Sequence, residues 1–267
     1  MELTTYLTEN YFKQSVLPKN LVVSTISLTF KLGTNILIEN INKYLELCKD
    51  DICTIDYNGN YRSIVDEKKK NRKNFHNSIT IKIAVRYPKL VNFKIFTNGA
   101  VQIAGIKSIE EGNIAINHLV RRLNETIGIY NKDTAKLEEV RFIENEINIH
   151  NLQINLINVN FEVGYSINRD DLYRLLLSQS QECYYERCKH AAVSVKYKVA
   201  DKKKPISIFV FDTGSIVITG SSNEEHIMES YNYITNLLST NKSKIVKVSI
   251  DVILENILRT KFSHLVV

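Results

Sequence analysis

The chain has 267 residues, enough for one large domain or two small ones, and its 44% hydrophobic content supports a buried core rather than disorder. The net charge of +6 and the pI near 8.9 suit an anionic partner such as nucleic acid. No apolar run reaches membrane-spanning length and the polar start, Met1–Asn20, lacks a signal-peptide core. A soluble intracellular protein with reduced cysteines, and no membrane partner, is therefore expected.

Residues 1–18 read as an N-terminal extension. A strand-like run opens at Asn20-Leu21-Val22 and ends near Leu32. Alternation puts Ile26, Leu28, Phe30 and Leu32 toward a core, and Val23, Thr25, Ser27 and Thr29 on the other face. A helix follows, capped by Thr34 and carrying Leu37, Ile41, Tyr44 and Leu45. Residues 54–75 are polar, include the run Glu67-Lys68-Lys69-Lys70-Asn71-Arg72-Lys73, and read as a long mobile loop. Ile79–Ile83 is the next strand. In Phe96-Thr97-Asn98-Gly99-Ala100-Val101-Gln102-Ile103-Ala104-Gly105, a strand meets an Asn-Gly turn and an alternating strand closed by Gly. Ser108 and Glu111 have capping-box spacing, and Ile116, Leu119, Val120 and Leu123 form the stripe of the helix they open. Residues 124–150 read as a charged linker with a short helix of its own.

The same order then repeats. Asn155-Leu156-Ile157 opens a run to Val163, with Ile157, Val159, Phe161 and Val163 toward the core and Leu156, Asn158 and Asn160 opposite. Asn168 caps a helix carrying Leu172, Leu175 and Leu176. Phe211-Asp212-Thr213-Gly214-Ser215-Ile216-Val217-Ile218-Thr219-Gly220 repeats the hairpin at an offset of 211 − 96 = 115. Ser222 and Glu225 repeat the capping box before Tyr231, Ile234 and Leu238. The first strands stand at 155 − 20 = 135, so the first copy is expected to hold a 20-residue insertion within 54–75. The repeats span 19–123 and 151–240. Residues 241–267 form a tail in which Ser249 caps a helical stripe of Ile250, Ile253, Leu254, Ile257 and Leu258, to dock on the body or on a partner.

Cys48 and Cys53 also precede Cys183 and Cys188 by 135, giving a C-x4-C pair in each half, with His190 near the second. A metal site, disulfides and half-buried free thiols are all open readings. No catalytic constellation stands out. Asp170 and Asp171 are adjacent in a helical first turn and do not face one another, and there is no phosphate loop or nucleophile elbow. No enzyme activity and no cofactor are expected.

Two copies of strand-helix-strands-helix, each with a Phe-x-x-Gly turn, resemble the TATA-box-binding protein family. Ile95–Gly99 and Val210–Gly214 stand where that family has Ile-Phe-x-Ser-Gly, Ile218-Thr219-Gly220 resembles its Leu-Thr-Gly, and Val22-Val23-Ser24-Thr25 resembles its Ile-Val-Ser-Thr. The resemblance implies an α+β saddle, with a curved antiparallel sheet below and helices above. It also implies minor-groove binding to AT-rich promoter DNA, kinked by Phe wedges. The implied DNA-binding residues are Val23, Thr25, Ser27, Phe75, Lys82, Phe96, Gln102, Ala104, Asn158, Asn160, Lys198, Phe209, Phe211, Val217 and Thr219. Phe75 would pair with Phe96. Its counterpart, His190 or Ala191, is no apolar wedge, so Tyr184, Tyr185 or Phe209 would substitute and the grip would be asymmetric. The family's central Asn pair is matched by Asn20 and Asn155 only one residue early, with Leu21 and Leu156 in the slots. A bulge restores the pair or the readout has changed. Glu182, Tyr184, Tyr185 and Glu186 would meet a transcription factor IIB-like protein and the RNA polymerase machinery. Divergent relatives occur in large DNA viruses, which implies a host-cytoplasmic viral factory or virion, and otherwise the nucleus. The competing readings are an interaction module that kept the fold and lost DNA, and an enzyme accessory domain.

Overall fold

The computed structural model describes residues 3–66, 76–131 and 135–247. Phe75, the basic run 67–73 and the tail stripe after Ser249 lie outside the described residues. The chain forms two compact units. The first holds residues up to Pro18, Val23–Asn158 and Ser221–Glu224, and the second holds Lys19–Val22, Val159–Gly220 and the residues from Glu225 onward.

The first unit contains, in order, β1 (Val22–Lys31), α1 (Ile38–Tyr44), β2 (Ile52–Tyr57), β3 (Asn60–Ser63), β4 (Ser78–Arg86), β5 (Lys89–Phe96), β6 (Ala100–Ile106), α2 (Ile109–Leu123), β7 (Thr126–Asn131), β8 (Lys136–Arg141) and the first part of β9 (His150–Glu162). Its sheet order is β9-β1-β6-β5-β4-β2-β3. Period-2 burial is regular in β4–β6. Ile81, Ile83, Val91, Phe93, Ile95, Val101 and Ile103 are buried, and the residues between them are mostly half-buried or exposed. Ile41 of α1 and Ala115, Ile116, Leu119 and Leu123 of α2 complete this core.

α2 forms where the spacing predicts. Ser108 Oγ accepts from the Glu111 N–H at 3.2 Å, the Glu111 carboxylate accepts from the Lys107 N–H at 2.7 Å, and Arg121 and Arg122 sit at the negative end of the helix dipole. α1 departs from expectation, since its N-cap is Leu37. The Thr34 hydroxyl is buried and engaged elsewhere, accepting from the Asn145 N–H at 2.8 Å.

Three further expectations change. Residues 54–57 belong to β2 and β3 pairs back on them, so the start of the insertion is an ordered hairpin rather than a mobile loop. The linker's expected helix is the antiparallel hairpin β7–β8, because Thr126-Ile127-Gly128-Ile129-Tyr130 is β-branched, aromatic and alternating. The N-terminal extension is built onto α2. Asn113 Oδ1 accepts from the Tyr6 and Leu7 N–H groups at 2.9 and 2.8 Å and its Nδ2 donates to Leu7 O. Asn117 grips both main-chain groups of Thr4 in the same way. Leu7 and Phe12 are each 1% exposed, and a Cβ on Gly112 would stand 2.5 Å from Leu7 Cδ1. Leu7→Ala is expected to cost about 3 kcal/mol in urea unfolding, as buried leucines do.

His118 on α2 carries a pH dependence. Burial holds its pKa below the ordinary value, and Arg121 adds to this while Asp51 and Asp50 oppose it. The unfolded chain then binds the proton more readily, so this contribution is complete above about pH 6.5 and is lost as pH falls below it. Urea midpoints at pH 7.5 and 5.5 are expected to differ less in His118→Gln than in the parent chain.

The second unit contains the end of β9, α3 (Arg169–Ser178), β10 (Cys183–Tyr184), β11 (Ala192–Tyr197), β12 (Ile206–Phe211), β13 (Ser215–Ser221), most of α4 (Glu224–Thr240) and α5 (Lys242–Ile245), with sheet order β10-β11-β12-β13-β9. Val159, Phe161, Val193, Val195, Ile206, Ile208, Val210, Ile216 and Ile218 are buried, together with Leu172, Leu176, Ile227, Ile234 and Leu238 from the helices. Asn168 caps α3 as expected, accepting from the Asp170 and Asp171 N–H groups at 3.1 and 3.4 Å.

The internal repeat is visible bond by bond. In the first unit, Gly99 N–H donates to Phe96 O at 3.0 Å, Leu32 N–H to Gly99 O at 2.8 Å, and Ile36 N–H to Thr97 O at 2.8 Å. In the second, Gly214 N–H donates to Phe211 O at 3.1 Å, Val163 N–H to Gly214 O at 3.0 Å, and Ile167 N–H to Asp212 O at 2.8 Å. The hairpin offset of 115 stands. The first-strand offset is 163 − 32 = 131, not 135, and the excess in the first copy is 131 − 115 = 16 residues, not 20. The Asn20–Asn155 match is therefore a coincidence of local sequence.

Candidate nucleic-acid interface

Among the described residues, each unit's part of the sheet has one face under its helices and one face without them. Pairing fixes which side chains are neighbours on the latter. In the first unit, Lys82–Asn92–Ala104–Ser27 is one cross-strand row, Thr80–Lys94–Gln102–Thr29 is the next, and Ser78–Phe96 follows. In the second, the rows are Lys196–Ser207–Thr219, Ser194–Phe209–Val217 and Ala192–Phe211. Position by position, Phe96 corresponds to Phe211, Lys94 to Phe209, Gln102 to Val217, Ala104 to Thr219, and Lys82 to Lys196.

Ten of the expected DNA-binding residues lie on these faces. Thr25, Ser27, Lys82, Phe96, Ala104, Phe209, Phe211, Val217 and Thr219 are half-buried and Gln102 is exposed. Asn158 and Asn160 of β9 are also half-buried, alternating with buried Ile157, Val159 and Phe161. A β-strand of alternating apolar and hydroxyl or amide residues has no other way to keep its polar groups hydrated.

Two expectations fail, and an open alternative is narrowed. Val23 is 3% exposed while Val22 is 54% exposed, the reverse of the expected presentation. Val23 shares burial with Leu21 two residues back, so this apolar pair is withdrawn from water together. Asn20 is engaged by α4, with its Nδ2 donating to the Tyr231 hydroxyl at 3.0 Å, so of the two alternatives left open for it the restoring bulge is not the one seen. Lys198 lies past the end of β11 and is paired with Glu182 at 3.6 Å. The register-equivalent of Lys82 is Lys196, whose Nζ donates to Ser207 Oγ at 2.8 Å.

The same register separates the cysteines. Cys183 pairs with Val195 where Ile55 pairs with Ile81, so Cys183 stands in the place of Ile55 and the C-x4-C echo is not a structural equivalence. All four thiols are free, and among the described residues no group of three or more His, Cys, Asp or Glu could hold a metal.

The expected partner loop is partly closed on itself. Tyr185 lies edge-on to Tyr173 at 5.9 Å and under the Arg169 guanidinium at 5.5 Å, while Arg187 pairs with Asp170 at 3.1 Å. Glu186 accepts from Lys189 at 2.8 Å and from the Tyr184 hydroxyl at 3.0 Å. These contacts, with Lys189 first, hold its carboxyl below the usual carboxylate range. Glu182 and Tyr184 remain exposed.

Sequence reasoning passed over Thr80, Asn92 and Lys94 in the first unit and Ser194, Lys196 and Ser207 in the second. The signal was present in β5, where Asn92, Lys94 and Phe96 alternate with Val91, Phe93 and Ile95. Among the described residues no helix is long and apolar enough to cross a membrane.

Comparison with known proteins agrees with this architecture. Residues 149–241 match the family model described as transcription factor TFIID, or TATA-binding protein. A protein of Acanthamoeba polyphaga mimivirus described as TATA-box-binding protein-like is 32% identical over 251 residues, which covers 85% of this chain and 67% of the relative. The structure of Methanococcus jannaschii TBP superposes with a TM-score of 0.53 at 21% identity, covering 83% of this chain and 99% of the archaeal one, and shows the shared fold. With two repeats that each carry the same internal bonds, and a relative matched along most of both chains, this protein belongs to the TATA-box-binding protein-like family.

Proposed function

We propose that this chain is a transcription initiation factor that binds duplex DNA through the minor groove, bends it and recruits transcription machinery. The observation that carries the reading is the face of each unit's sheet that no helix covers among the described residues. Hydroxyl, amide and lysine side chains occupy it, and Phe96 and Phe211 sit at equivalent hairpin positions of the two repeats. Such donors suit the acceptor-lined minor groove of A·T pairs, and apolar side chains at the hairpins suit insertion between base steps. Lys82 and Lys196 on these faces favour phosphate contact, which gives affinity and salt dependence rather than sequence choice.

Glu182 and Tyr184 are the exposed groups through which a transcription factor IIB-like protein or the polymerase would dock. The mimiviral relative supports a viral setting, in which the factor acts in a cytoplasmic factory or is packaged in the virion. A second reading, an interaction module that has given up DNA, is favoured by Lys94 lying 5.4 Å from the centre of the Phe96 ring and by the withdrawal of Val23 and Asn20.

Fluorescence anisotropy with AT-rich and GC-rich duplexes between 50 and 300 mM salt separates the two. The DNA-binding reading expects tighter AT-rich binding and a log–log slope of a few counterions. No binding at the lowest salt would favour the interaction module.

A further inference from the structure

The two units present different chemistry at register-equivalent positions. In the second unit's middle row Phe209 stands between Ser194 and Val217, and Phe211 follows two residues along the same strand. The first unit has Lys94 beside Gln102, flanked by Thr80 and Thr29, and the Lys94 ammonium lies 5.4 Å from the Phe96 ring centre. A cation over an aromatic face is held there electrostatically. The first unit's hairpin aromatic is therefore accompanied by a charge, while the second unit's is accompanied by another aromatic ring.

We propose that Lys94, with Gln102 beside it, is a base-reading device specific to the first unit, which accepts A·T pairs and rejects any pair carrying a purine N2 amino group. The inference rests on the minor-groove reading above. An ammonium has three donors and no acceptor, so it matches adenine N3 and thymine O2 and opposes the N2 amino donor of guanine. Gln102 can donate or accept, so it adds affinity without enforcing the exclusion. Phe209 and Val217 have no hydrogen-bonding group. The second unit therefore contributes apolar contact and deformation, with its base preference set by how easily a step unstacks. The repeat has thus been divided into a reading half and a deforming half.

The test uses the full chain and an AT-rich duplex in which single adenines are replaced, one position at a time, by 2,6-diaminopurine. That base adds the N2 amino group in the minor groove and leaves the major-groove edge unchanged. The parent chain is expected to lose about tenfold or more in affinity at a short run of positions, the range of an ordinary mismatch. Lys94→Leu should bind every substituted duplex within about twofold of the unsubstituted one at those positions and lower the salt slope by about 1. Lys94→Arg, which keeps a donor-only cation, should retain the penalty. Identical scans for the parent and Lys94→Leu, with both chains binding, would overturn the inference and leave the DNA-binding reading intact. Failure of the parent chain to bind any duplex would overturn that reading and this inference with it.

Discussion

Gly214→Ala is expected to destabilise the second unit by on the order of 3 kcal/mol, well above the ~1 kcal/mol that a left-handed backbone alone costs an alanine. Gly214 has φ +87°, and a Cβ there would stand 2.2 Å from Tyr165 O. That carbonyl belongs to the segment that Val163 and Ile167 bind to the hairpin on either side, so it cannot step back without breaking both bonds. Gly99 repeats the arrangement in the first unit, with φ +74° and Thr34 O at 2.2 Å. Gly164→Ala is the control, since φ is +77° but nothing lies within 4 Å of the added carbon; its loss should stay near ~1 kcal/mol. Urea unfolding of the three variants checks this ordering. Equal losses at Gly164 and Gly214 would mean that conformation alone, not the close approach, makes glycine necessary.

Replacing both Phe209 and Phe211 by Ala is expected to remove most of the DNA bend and about 100-fold in affinity, as loss of two base-stacking aromatics would. Neither change removes a cation, so the salt slope should stay as in the parent chain. Both side chains are half-buried on the face opposite the buried Ile208 and Val210, and the core is left in place. Phe96→Ala should have the smaller effect, because Lys94 already places charge over that ring. Resonance energy transfer between dyes at the duplex ends reports the bend, and anisotropy reports the affinity.

Much of this architecture is legible in the sequence because local chemistry forces it. The two Phe-x-x-Gly hairpins had to match once the glycines were required by the same close approach, and Ser108 and Asn168 announce their helices through side-chain caps. Face assignment agrees with the burial wherever the first strands alternate strictly, from Thr25 to Phe30 in β1 and from Leu156 to Phe161 in β9. It failed at Val23, because long-range burial decides that side chain and leaves no mark in the neighbouring residues, and the engagement of Asn20 by the Tyr231 hydroxyl is equally invisible there. Sequence echoes misled twice. Asn20–Asn155 and the cysteine spacing share an offset of 135, yet hydrogen-bond register sets the first strands at 131 and puts Cys183 opposite Val195, as Ile55 is opposite Ile81. The pairing of Lys82 with Lys198 failed for a similar reason, since the β11–β12 connection differs in length from the β4–β5 turn at cis Tyr87–Pro88. The hairpin β7–β8 was hidden by its charges, which lie on exposed strands where a linker composition and a solvated ribbon look alike.

The repeats have diverged in the chemistry they present more than in their scaffold. The buried rows match in kind, while the rows on the opposite face differ at Lys94 against Phe209 and Gln102 against Val217. Selection on a core constrains volume and apolarity, whereas selection on a face constrains what it touches. The departure from symmetry is therefore where a partner would be read.

The most direct measurement is the bend angle of an AT-rich duplex, followed by end-to-end energy transfer, as the full chain is titrated at low and at moderate salt. The account predicts a saturable decrease in end-to-end distance whose midpoint moves to higher protein concentration with salt while the final distance does not change. Saturable binding with an unchanged end-to-end distance would contradict it.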